Sequence, residues 1–378
     1  MAKGKYLRKP KVSSGKKIGR VLLVIVLIIV LLLGAVAAFV WSKLGKITYD
    51  DGKLPVETSA PTLATEVVDP LSGVDDPSMA ATELPNETGT GIIPEEIIDT
   101  GDLTAETAPS YSQGELFKDK DVMNILLVGS DEYTHGYAST SRCDLNIIIS
   151  INKAEKTVKL VSLSRGIALK MLDGPYVGKY EWLTNVHRWA GHDAVLEALS
   201  DAFKIELDRY VRVNFQTVIK IVDAIGGIEM EMTAAEARAM NINRSDKCVE
   251  GMNTLSGLRA VDFARLRSVD DDWGRVQRQR KCILAVIDKL KGSSFSELND
   301  LCDMVLPMIK TNLTKLEIAE LIIYSPTFLD SEFGQLTIPV ANSYGGMTVH
   351  SGAGGWALDY EKNNAILHEF LYGAESEG

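Results

Sequence analysis

The sequence of 378 residues has only four cysteines and five histidines, and it contains no Walker phosphate loop, GxSxG elbow or HExxH helix. These absences remove support for P-loop nucleotide hydrolases, α/β-hydrolase serine enzymes and HExxH metalloproteases. No CxxC pair or cysteine–histidine spacing indicates a zinc site. A basic domain is also missing, so we expect no nucleic-acid partner.

The net charge of −11 is divided unevenly along the chain. Residues 1–49 carry ten Lys or Arg and no acidic residue, whereas residues 50–115 carry fifteen Asp or Glu against one Lys. Residues 42–117 are also rich in Thr and Pro, and they cannot bury enough apolar surface to offset the chain entropy lost on folding. We therefore predict a disordered acidic stalk over 42–117.

Residues 21–40 form an uninterrupted apolar run, VLLVIVLIIVLLLGAVAAFV. A helix of this length spans a bilayer core, whereas the apolar stretch of a cleavable signal peptide, the alternative, is usually shorter. We predict a basic cytoplasmic tail over 1–20 and a transmembrane anchor over 21–41. Because the basic residues precede the run, the rest of a single-pass protein in the cell membrane would lie outside the cell.

Globular patterning begins at Lys118, where short apolar runs start to alternate with helical periodicity. Strands are predicted at 123–129, 145–151, 158–163, 210–215, 228–232 and 335–340, and helices at 193–203, 216–225, 258–267, 275–290 and 360–372. This mixture predicts an α/β fold, a three-layer sandwich in which helices flank a central, mostly antiparallel or mixed sheet. We expect a catalytic domain over 118–291 and a C-terminal helical extension over 292–378 that packs on it.

Charged residues stand where several of these apolar elements end. Asp131 follows the first strand, Asp144 precedes the apolar run of the second, and Arg165 follows the third. Further along, the segment RLRSVDDDWGRVQRQ contains residues that share one helix face, namely Arg275, Arg278 and Gln279. Arginine forks suit phosphate recognition and paired carboxylates suit Mg²⁺. The pattern therefore predicts a site that acts on a pyrophosphate.

Residues 123–290 resemble the catalytic domain of the LytR-CpsA-Psr family of bacterial cell-wall proteins. The matching stretches are NILLVGSD, SRCDLNIIISIN, VKLVSLSR, DRYVRVNFQTVIKIVDAIGGIEMEM and GMNTLSGLRAVDFARLRSVDDDWGRVQRQR. The resemblance implies an exterior phosphotransferase that moves a glycopolymer, such as teichoic acid or capsular polysaccharide, from undecaprenyl pyrophosphate to peptidoglycan. It also implies a phosphodiester product at the 6-hydroxyl of N-acetylmuramic acid, with Mg²⁺ or Mn²⁺ as the cofactor.

Carried over residue by residue, the resemblance implies roles for individual side chains. Asp131 and Asp144 match the carboxylates that hold the metal. The residues expected to bind the pyrophosphate are Arg142, Arg165, Arg265, Arg267, Arg275 and Gln279. The residues expected to be catalytic are Asp131, Arg165, Arg265, Arg267, Asp272 and Arg275. The general base would be either Asp131 or Asp272.

The sequence departs from the family pattern at Gly166, where an Asp is usual, at Trp182, where a Lys is usual, and at Cys143, where a Ser is usual. Two other functions stay open at this point: hydrolysis of a lipid pyrophosphate, and non-catalytic binding or regulation in the envelope. An exterior location permits disulfides, so the state of the four cysteines also stays open, these being Cys143, Cys248, Cys282 and Cys302.

Overall fold

The computed structural model describes residues 41–49, 114–131, 141–270, 272–291, 293–329, 331 and 333–373. The predicted cytoplasmic tail, nearly all of the predicted anchor and the larger part of the predicted stalk therefore lie outside the described residues. No helix within those ranges is long and apolar enough to cross a membrane. The chain divides into two compact units; residues 41–44 of the first are helical, and the second begins at Ile47.

Among the described residues of the second unit, seven strands form one central sheet. They are β1 (Thr48–Tyr49), β2 (Val122–Ser130), β3 (Cys143–Asn152), β4 (Thr157–Leu163), β7 (Arg209–Asn214), β10 (Lys310–Thr311) and β11 (Phe333–Ile338). Their order across the sheet is β1-β10-β7-β2-β3-β4-β11. Three neighbouring pairs are antiparallel and three are parallel. The prediction of a central mixed sheet is confirmed.

The hairpin of β3 and β4 follows from the sequence between its strands. The Asn152 side-chain oxygen accepts hydrogen bonds from the backbone N–H groups of Ala154 and Glu155, and Lys156 has a φ of 58°. Such an Asx turn closes the strands without a glycine. Ile148 and Val161, which pair across the hairpin, are fully buried.

Helices cover both faces of the sheet. They are α1 (Leu183–Phe203), α2 (Phe215–Ala224), α3 (Ala234–Met240), α4 (Gly257–Ala264), α5 (Asp272–Lys291), α6 (Phe295–Val305), α7 (Lys315–Leu329) and α8 (Tyr360–Tyr372). On one face, α1 and α8 share an apolar core with Val161 and Leu163 of β4. On the other face, Arg280 of α5 donates one hydrogen bond to the Ser162 hydroxyl, which points away from that core because side chains alternate along a strand.

Three two-stranded hairpins surround the sheet. They pair β5 (Ala168–Lys170) with β6 (Tyr180–Trp182), β8 (Ile228–Met232) with β9 (Gly251–Leu255), and β12 (Tyr344–Thr348) with β13 (Gly354–Leu358). Of these six strands the sequence predicts only β8. The others are three to five residues long, and several contain glycine, so they carry little alternating pattern.

The described part of 292–378 is more than the helical extension expected from the sequence. It supplies β10 and β11 to the central sheet and forms the β12–β13 hairpin in addition to α6, α7 and α8. The edge of β4 needs a partner for its backbone N–H and C=O groups, and β11 provides it over six residue pairs. The boundary at 291 stays a prediction, but the segment after it completes the sheet.

Both ends of the predicted stalk are ordered. At its beginning, β1 pairs in parallel with β10, and at its end the backbone N–H of Phe117 donates to the carbonyl of Lys204. The Phe117 ring also packs against the Tyr372 ring, with 4.2 Å between their centroids. The chain is therefore held to the folded unit on each side of the undescribed residues 50–113.

Candidate active site at one edge of the sheet

Three of the predicted motifs meet at one edge of the central sheet. Because β3 runs antiparallel to β2 and β4, it begins where both of those strands end. Asp131 therefore directly follows β2, Asp144 is the second residue of β3, and Arg165 lies two residues beyond β4. A β-bulge between Gly129 and Ser130 precedes Asp131, whose backbone N–H donates to the Arg142 carbonyl at 3.2 Å.

Asp144 lies at the centre of a charged cluster. Arg165 Nη1 is 3.3 Å from each carboxylate oxygen of Asp144, and Arg267 Nη2 is 3.4 Å from Oδ2. The Thr184 hydroxyl donates to Oδ1 at 3.2 Å. We call these residues, with the neighbouring Arg275, the Asp144 cluster.

The arginines keep Asp144 ionised. Burial alone raises the pKa of Asp144, but the positive charges of Arg165, Arg275 and Arg267 outweigh it and hold that pKa well below its usual range. One carboxylate is thus contacted or faced by three guanidinium groups, which concentrates positive charge around it in the described part of the structure. This charge suits a ligand with more than one negative charge.

The three arginines differ in their access to solvent. Arg165 and Arg275 are 7% and 3% exposed, whereas the Arg267 side chain is 42% exposed. Buried cations are costly unless negative groups face them, and Asp144 partly meets that need. Arg165 and Arg275 are therefore the buried cations of the site, and Arg267 is the one exposed to solvent.

Arg278 shares a predicted helix face with Arg275, but its guanidinium binds other parts of the chain and is not part of the Asp144 cluster. Its guanidinium donates two hydrogen bonds of 2.6 Å to the Asp270 carboxylate and one of 2.7 Å to the Leu266 carbonyl. Asp270 also packs directly on Gly274, where a β-carbon would collide with the carboxylate. This arrangement ties Leu266 and Asp270, on either side of Arg267, to α5.

Two more of the predicted arginines have defined surroundings. Arg265 follows α4 as its C-cap residue, and its guanidinium carbon lies 4.8 Å from the centre of the Phe215 ring, a cation–π contact. Arg142 is half-buried, and its carbonyl accepts the hydrogen bond from Asp131. Their roles at a pyrophosphate stay predictions.

The remaining predicted residues are placed by the backbone. Asp131 is exposed, and Gln279 is half-buried on α5, one turn beyond Arg275. Asp272 is the first residue of α5, and its side chain lies outside what the structure describes. Their catalytic and binding roles therefore also stay predictions.

Sequence reasoning missed Thr184 and the way in which Trp182 supports Arg165. Thr184 is the second residue of α1 and contacts Asp144, and no local pattern in a single sequence marks it. The Trp182 ring centre lies 5.8 Å from the Arg165 guanidinium carbon, and the indole N–H donates to the Gly354 carbonyl at 2.8 Å. The departure at residue 182 thus gives Arg165 a cation–π partner that is held by β13.

The departure at Gly166 is matched by a residue of β13, Trp356, which contacts it. The backbone N–H of Trp356 donates to the Gly166 carbonyl at 2.9 Å, and a β-carbon at residue 166 would be 3.1 Å from Trp356 Nε1. The indole occupies the space that the usual Asp side chain would enter. Two of the three departures from the family pattern, Gly166 and Trp182, therefore contact the β12–β13 hairpin.

All four cysteines lie among the described residues and are thiols rather than disulfides, and three of them are buried. Burial raises the pKa of the Cys282 thiol to about 12, although the charge of Arg278 opposes the shift. Cys282 is therefore protonated and packs as a small apolar residue, as expected for buried cysteines.

The family comparison covers most of the folded chain. Residues 96–366 match the LytR_cpsA_psr family. Over 201 residues the chain is 29% identical to the polyisoprenyl-teichoic acid–peptidoglycan teichoic acid transferase TagT of Bacillus subtilis (strain 168), a match that covers 52% of this chain and 61% of TagT. Over 217 residues it is 28% identical to the equivalently named TagU of Enterococcus faecalis (strain ATCC 700802 / V583), with 56% and 69% covered.

Solved structures have the same fold. The crystal structure of B. subtilis TagT superposes with a TM-score of 0.52 at 23% identity, covering 70% of this chain and 99% of that one. Protein gbs0355 of Streptococcus agalactiae superposes with a TM-score of 0.56 at 23% identity, covering 68% and 90%. The family match spans well over half of the chain and includes every residue of the Asp144 cluster. This chain therefore belongs to the LytR_cpsA_psr (LytR-CpsA-Psr) family.

Proposed function

We propose that this chain is a phosphotransferase that moves a glycopolymer from a polyprenyl-pyrophosphate carrier, such as undecaprenyl pyrophosphate, to peptidoglycan. The observation that carries the proposal is the convergence of three arginines, Arg165, Arg267 and Arg275, on the Asp144 carboxylate. A pyrophosphate diester brings two negative charges, which guanidinium forks bind well. TagT and TagU are named as transferases of teichoic acid to peptidoglycan, which supports the same class of reaction.

In the proposed reaction, the 6-hydroxyl of N-acetylmuramic acid attacks the phosphorus atom that carries the glycan. A new P–O bond forms, the bond from that phosphorus to the bridging oxygen breaks, and polyprenyl phosphate leaves. The product is a phosphodiester between glycan and peptidoglycan. Arg165, Arg267 and Arg275 would offset the charge that develops on the leaving phosphate, an electrostatic role in which one donor is typically worth about 10²–10³ in rate.

The proton of the attacking hydroxyl needs an acceptor other than Asp144. A general base works best when its pKa lies near the working pH, and the arginines hold the pKa of Asp144 far below that range. Asp131, which is exposed at the end of β2, and Asp272, which begins α5, are the two candidates. We propose that one of these carboxylates accepts the proton.

Mg²⁺, or Mn²⁺ in its place, is the proposed cofactor, held by Asp131 and Asp144. Carboxylate oxygens are hard ligands of the kind that these ions prefer. The arginine contacts to Asp144 are 3.3–3.4 Å long, whereas charge-assisted hydrogen bonds are usually about 2.7–2.9 Å, so an ion would compete with loose rather than tight arginine contacts. When bound, the ion supplies charge neutralisation at the phosphate oxygens.

The proposed location is the outer face of the cell membrane. It rests on the apolar run at 21–40 and on the basic residues before it. An anchored enzyme would stay close to a lipid-linked substrate. The partners would then be the lipid-linked glycan, peptidoglycan and the membrane.

The decisive experiment uses the full-length chain in detergent with a synthetic polyprenyl-pyrophosphate oligosaccharide, peptidoglycan oligomers and Mg²⁺. Mass spectrometry would detect the phosphodiester-linked conjugate. The comparison is between wild type, Asp144→Asn, which keeps the side-chain size, and Arg238→Ala, which removes an exposed arginine of α3. We expect the wild type and Arg238→Ala to form the conjugate and Asp144→Asn to form none. Wild type should also form none once EDTA has removed divalent ions.

Two outcomes would replace the proposal. Release of polyprenyl phosphate without conjugate, while an alternative glycan acceptor also fails, would indicate a lipid pyrophosphatase. Tight binding of the lipid without any turnover would indicate a regulator or binder. Both alternatives use the same charged site, so only the acceptor and the turnover distinguish them from the transferase.

A further inference from the structure

A second cluster of chemically reactive side chains lies inside the protein, next to the Asp144 cluster but separate from it. Cys143, His187 and His192 are 1%, 2% and 6% exposed. One ligand atom from each, the Cys143 sulfur and a ring nitrogen of each histidine, lies within 4.8 Å of the others. Nothing in the proposed transfer reaction uses these residues.

The local backbone brings the two histidines together. In an uninterrupted helix, side chains five residues apart point about 140° away from each other. Gly191 breaks α1 with a φ of 85° and a ψ of 178°, a conformation that favours glycine. His187 Nδ1 and His192 Nδ1 consequently face each other at 2.8 Å.

A hydrogen bond sets the tautomer of His187. The Asn146 amide nitrogen donates to the Cys143 carbonyl at 2.9 Å, which directs the amide oxygen towards His187 Nε2 at 2.7 Å. Because that oxygen accepts, Nε2 carries the proton and Nδ1 has a lone pair. Metal-binding histidines usually donate a hydrogen bond from the nitrogen that does not bind the metal to an oxygen atom of this kind.

Both histidines are neutral, as metal ligands must be. Burial lowers the pKa of His187 well below its ordinary value, with His192 and Arg212 adding to the effect. Burial also lowers the pKa of His192 to about 3, with contributions from Arg212 and Lys310.

We propose that Cys143 Sγ, His187 Nδ1 and His192 Nδ1 bind one soft or borderline-soft transition-metal ion. A thiolate with two imidazoles selects copper or zinc over the hard ions Mg²⁺ and Ca²⁺. Charge favours Cu⁺, because its complex with one thiolate is neutral, whereas a Zn²⁺ complex would place a net positive charge near Arg212 and Lys310. The Asp144 cluster, with its oxygen ligands, prefers the opposite class of ion.

Binding requires the ligand atoms to move by up to about 1 Å, because the sulfur lies within 4.8 Å of the nitrogens and bonds of about 2.0 and 2.3 Å at ~120° would place it roughly 3.7 Å from each. Metal–nitrogen bonds of about 2.0 Å at ~120° place two nitrogens about 3.5 Å apart, so the rings need to separate by less than ~1 Å. The Cys143 thiol would release its proton to solvent, and the proton of His192 would reside on Nε2. The bound ion would join β3, one residue before Asp144, to the helix that carries Thr184.

The test starts from the full-length protein freed of metals by a chelator under reducing, anaerobic conditions. Cu⁺ is supplied as its bicinchoninate complex, whose loss of colour reports transfer to the protein, and Co²⁺ is used as an optical substitute for Zn²⁺. We expect one equivalent of Cu⁺ per chain. For Cys143→Ser and His192→Gln we expect at least a ~100-fold loss of affinity for Cu⁺. Changing only a group that hydrogen-bonds to a metal ligand already costs about 10–100-fold. One equivalent of Co²⁺ with a thiolate charge-transfer band would support the same site.

Matched controls are Cys282→Ser, another buried cysteine, and His368→Gln, whose ring bonds to the Phe203 carbonyl. Both should bind as wild type does. A second measurement needs no variant: the metal should protect Cys143, but not Cys282, from alkylation in mild denaturant. Absence of stoichiometric binding of either ion, or full binding by both ligand variants, would overturn the proposal and leave a hydrogen-bonded histidine pair. Neither result bears on glycopolymer transfer, which is assayed separately.

Discussion

Trp356 lies across Gly166, so that the indole fills the space beside an α-carbon at the mouth of the candidate site. The contact joins the turn that carries Arg165 to the β12–β13 hairpin, and Trp182 makes the second link by contacting both. Arg165 is therefore held from the C-terminal part of the chain as well as by Asp144.

We expect Gly166→Asp to lower the free energy of unfolding by about 1–3 kcal/mol, because the new side chain must displace the Trp356 indole. Urea unfolding followed by circular dichroism measures the change. The double variant Gly166→Asp with Trp356→Ala should lose less than the sum of the two single changes, since the collision is then absent. Strictly additive losses would show that the two residues are not coupled.

Arg165→Ala and Arg275→Ala should each reduce glycopolymer transfer by about 10²–10³-fold, since each removes a buried cation of the site. The conjugate assay described above measures the rate, and circular dichroism checks the fold. Arg238→Ala is the matched control on the exposed side of α3. Wild-type transfer rates in both site variants would refute the assignment of these arginines.

Gly274→Ala should disturb the site although residue 274 carries no functional group. A β-carbon there collides with the Asp270 carboxylate, which Arg278 holds by two hydrogen bonds. We expect a loss of about 1–3 kcal/mol in unfolding free energy and a lower transfer rate through displacement of the adjacent Arg275. An unchanged melting temperature together with an unchanged rate would contradict this account. Gly45→Ala, where a β-carbon meets open space and φ is not positive, controls for glycine replacement without a collision or backbone strain.

Glu317 gives the fold a defined sensitivity to acid. Burial raises its pKa, but hydrogen bonds from Thr314 and Arg209 outweigh burial and bring the pKa below its ordinary value of 4.5. A lowered folded-state pKa stabilises the protein fully above about pH 4.5, and this stabilisation is lost as the pH falls below that value. Glu317→Gln should therefore cost about 0.5–1.5 kcal/mol at pH 7 and less at pH 3.5. Urea titrations at the two pH values measure it; an equal cost at both would contradict the prediction.

The elements that the sequence predicts well have a strong local pattern. The β3–β4 hairpin consists of two apolar runs around a polar turn, and β8 and α8 have the predicted bounds, 228–232 and 360–372. By contrast, α1 begins at Leu183, ten residues before the predicted start. The break at Gly191 and the polar residues around it interrupt the helical periodicity there.

The same distinction applies to the candidate site. Asp144, Arg165, Arg267 and Arg275 belong to motifs that stand out locally, and the fold brings them together. The contacts of Thr184 and of the cluster of Cys143, His187 and His192 could not be predicted, because they join a strand to a helix some forty residues away in the chain. Sequence spacing reveals metal sites only when the ligands are close in sequence, as in a CxxC pair.

The parallel pairing of β11 with β4 has a consequence for the order in which the protein assembles. During synthesis, the strands that carry Asp131, Asp144 and Arg165 are complete long before β11 and the β12–β13 hairpin exist. Until then β4 is an open edge, able to pair with another chain, and Trp356 has not yet covered Gly166. A chain cut short before residue 333 would therefore retain every residue of the Asp144 cluster and still lack the support that positions Arg165.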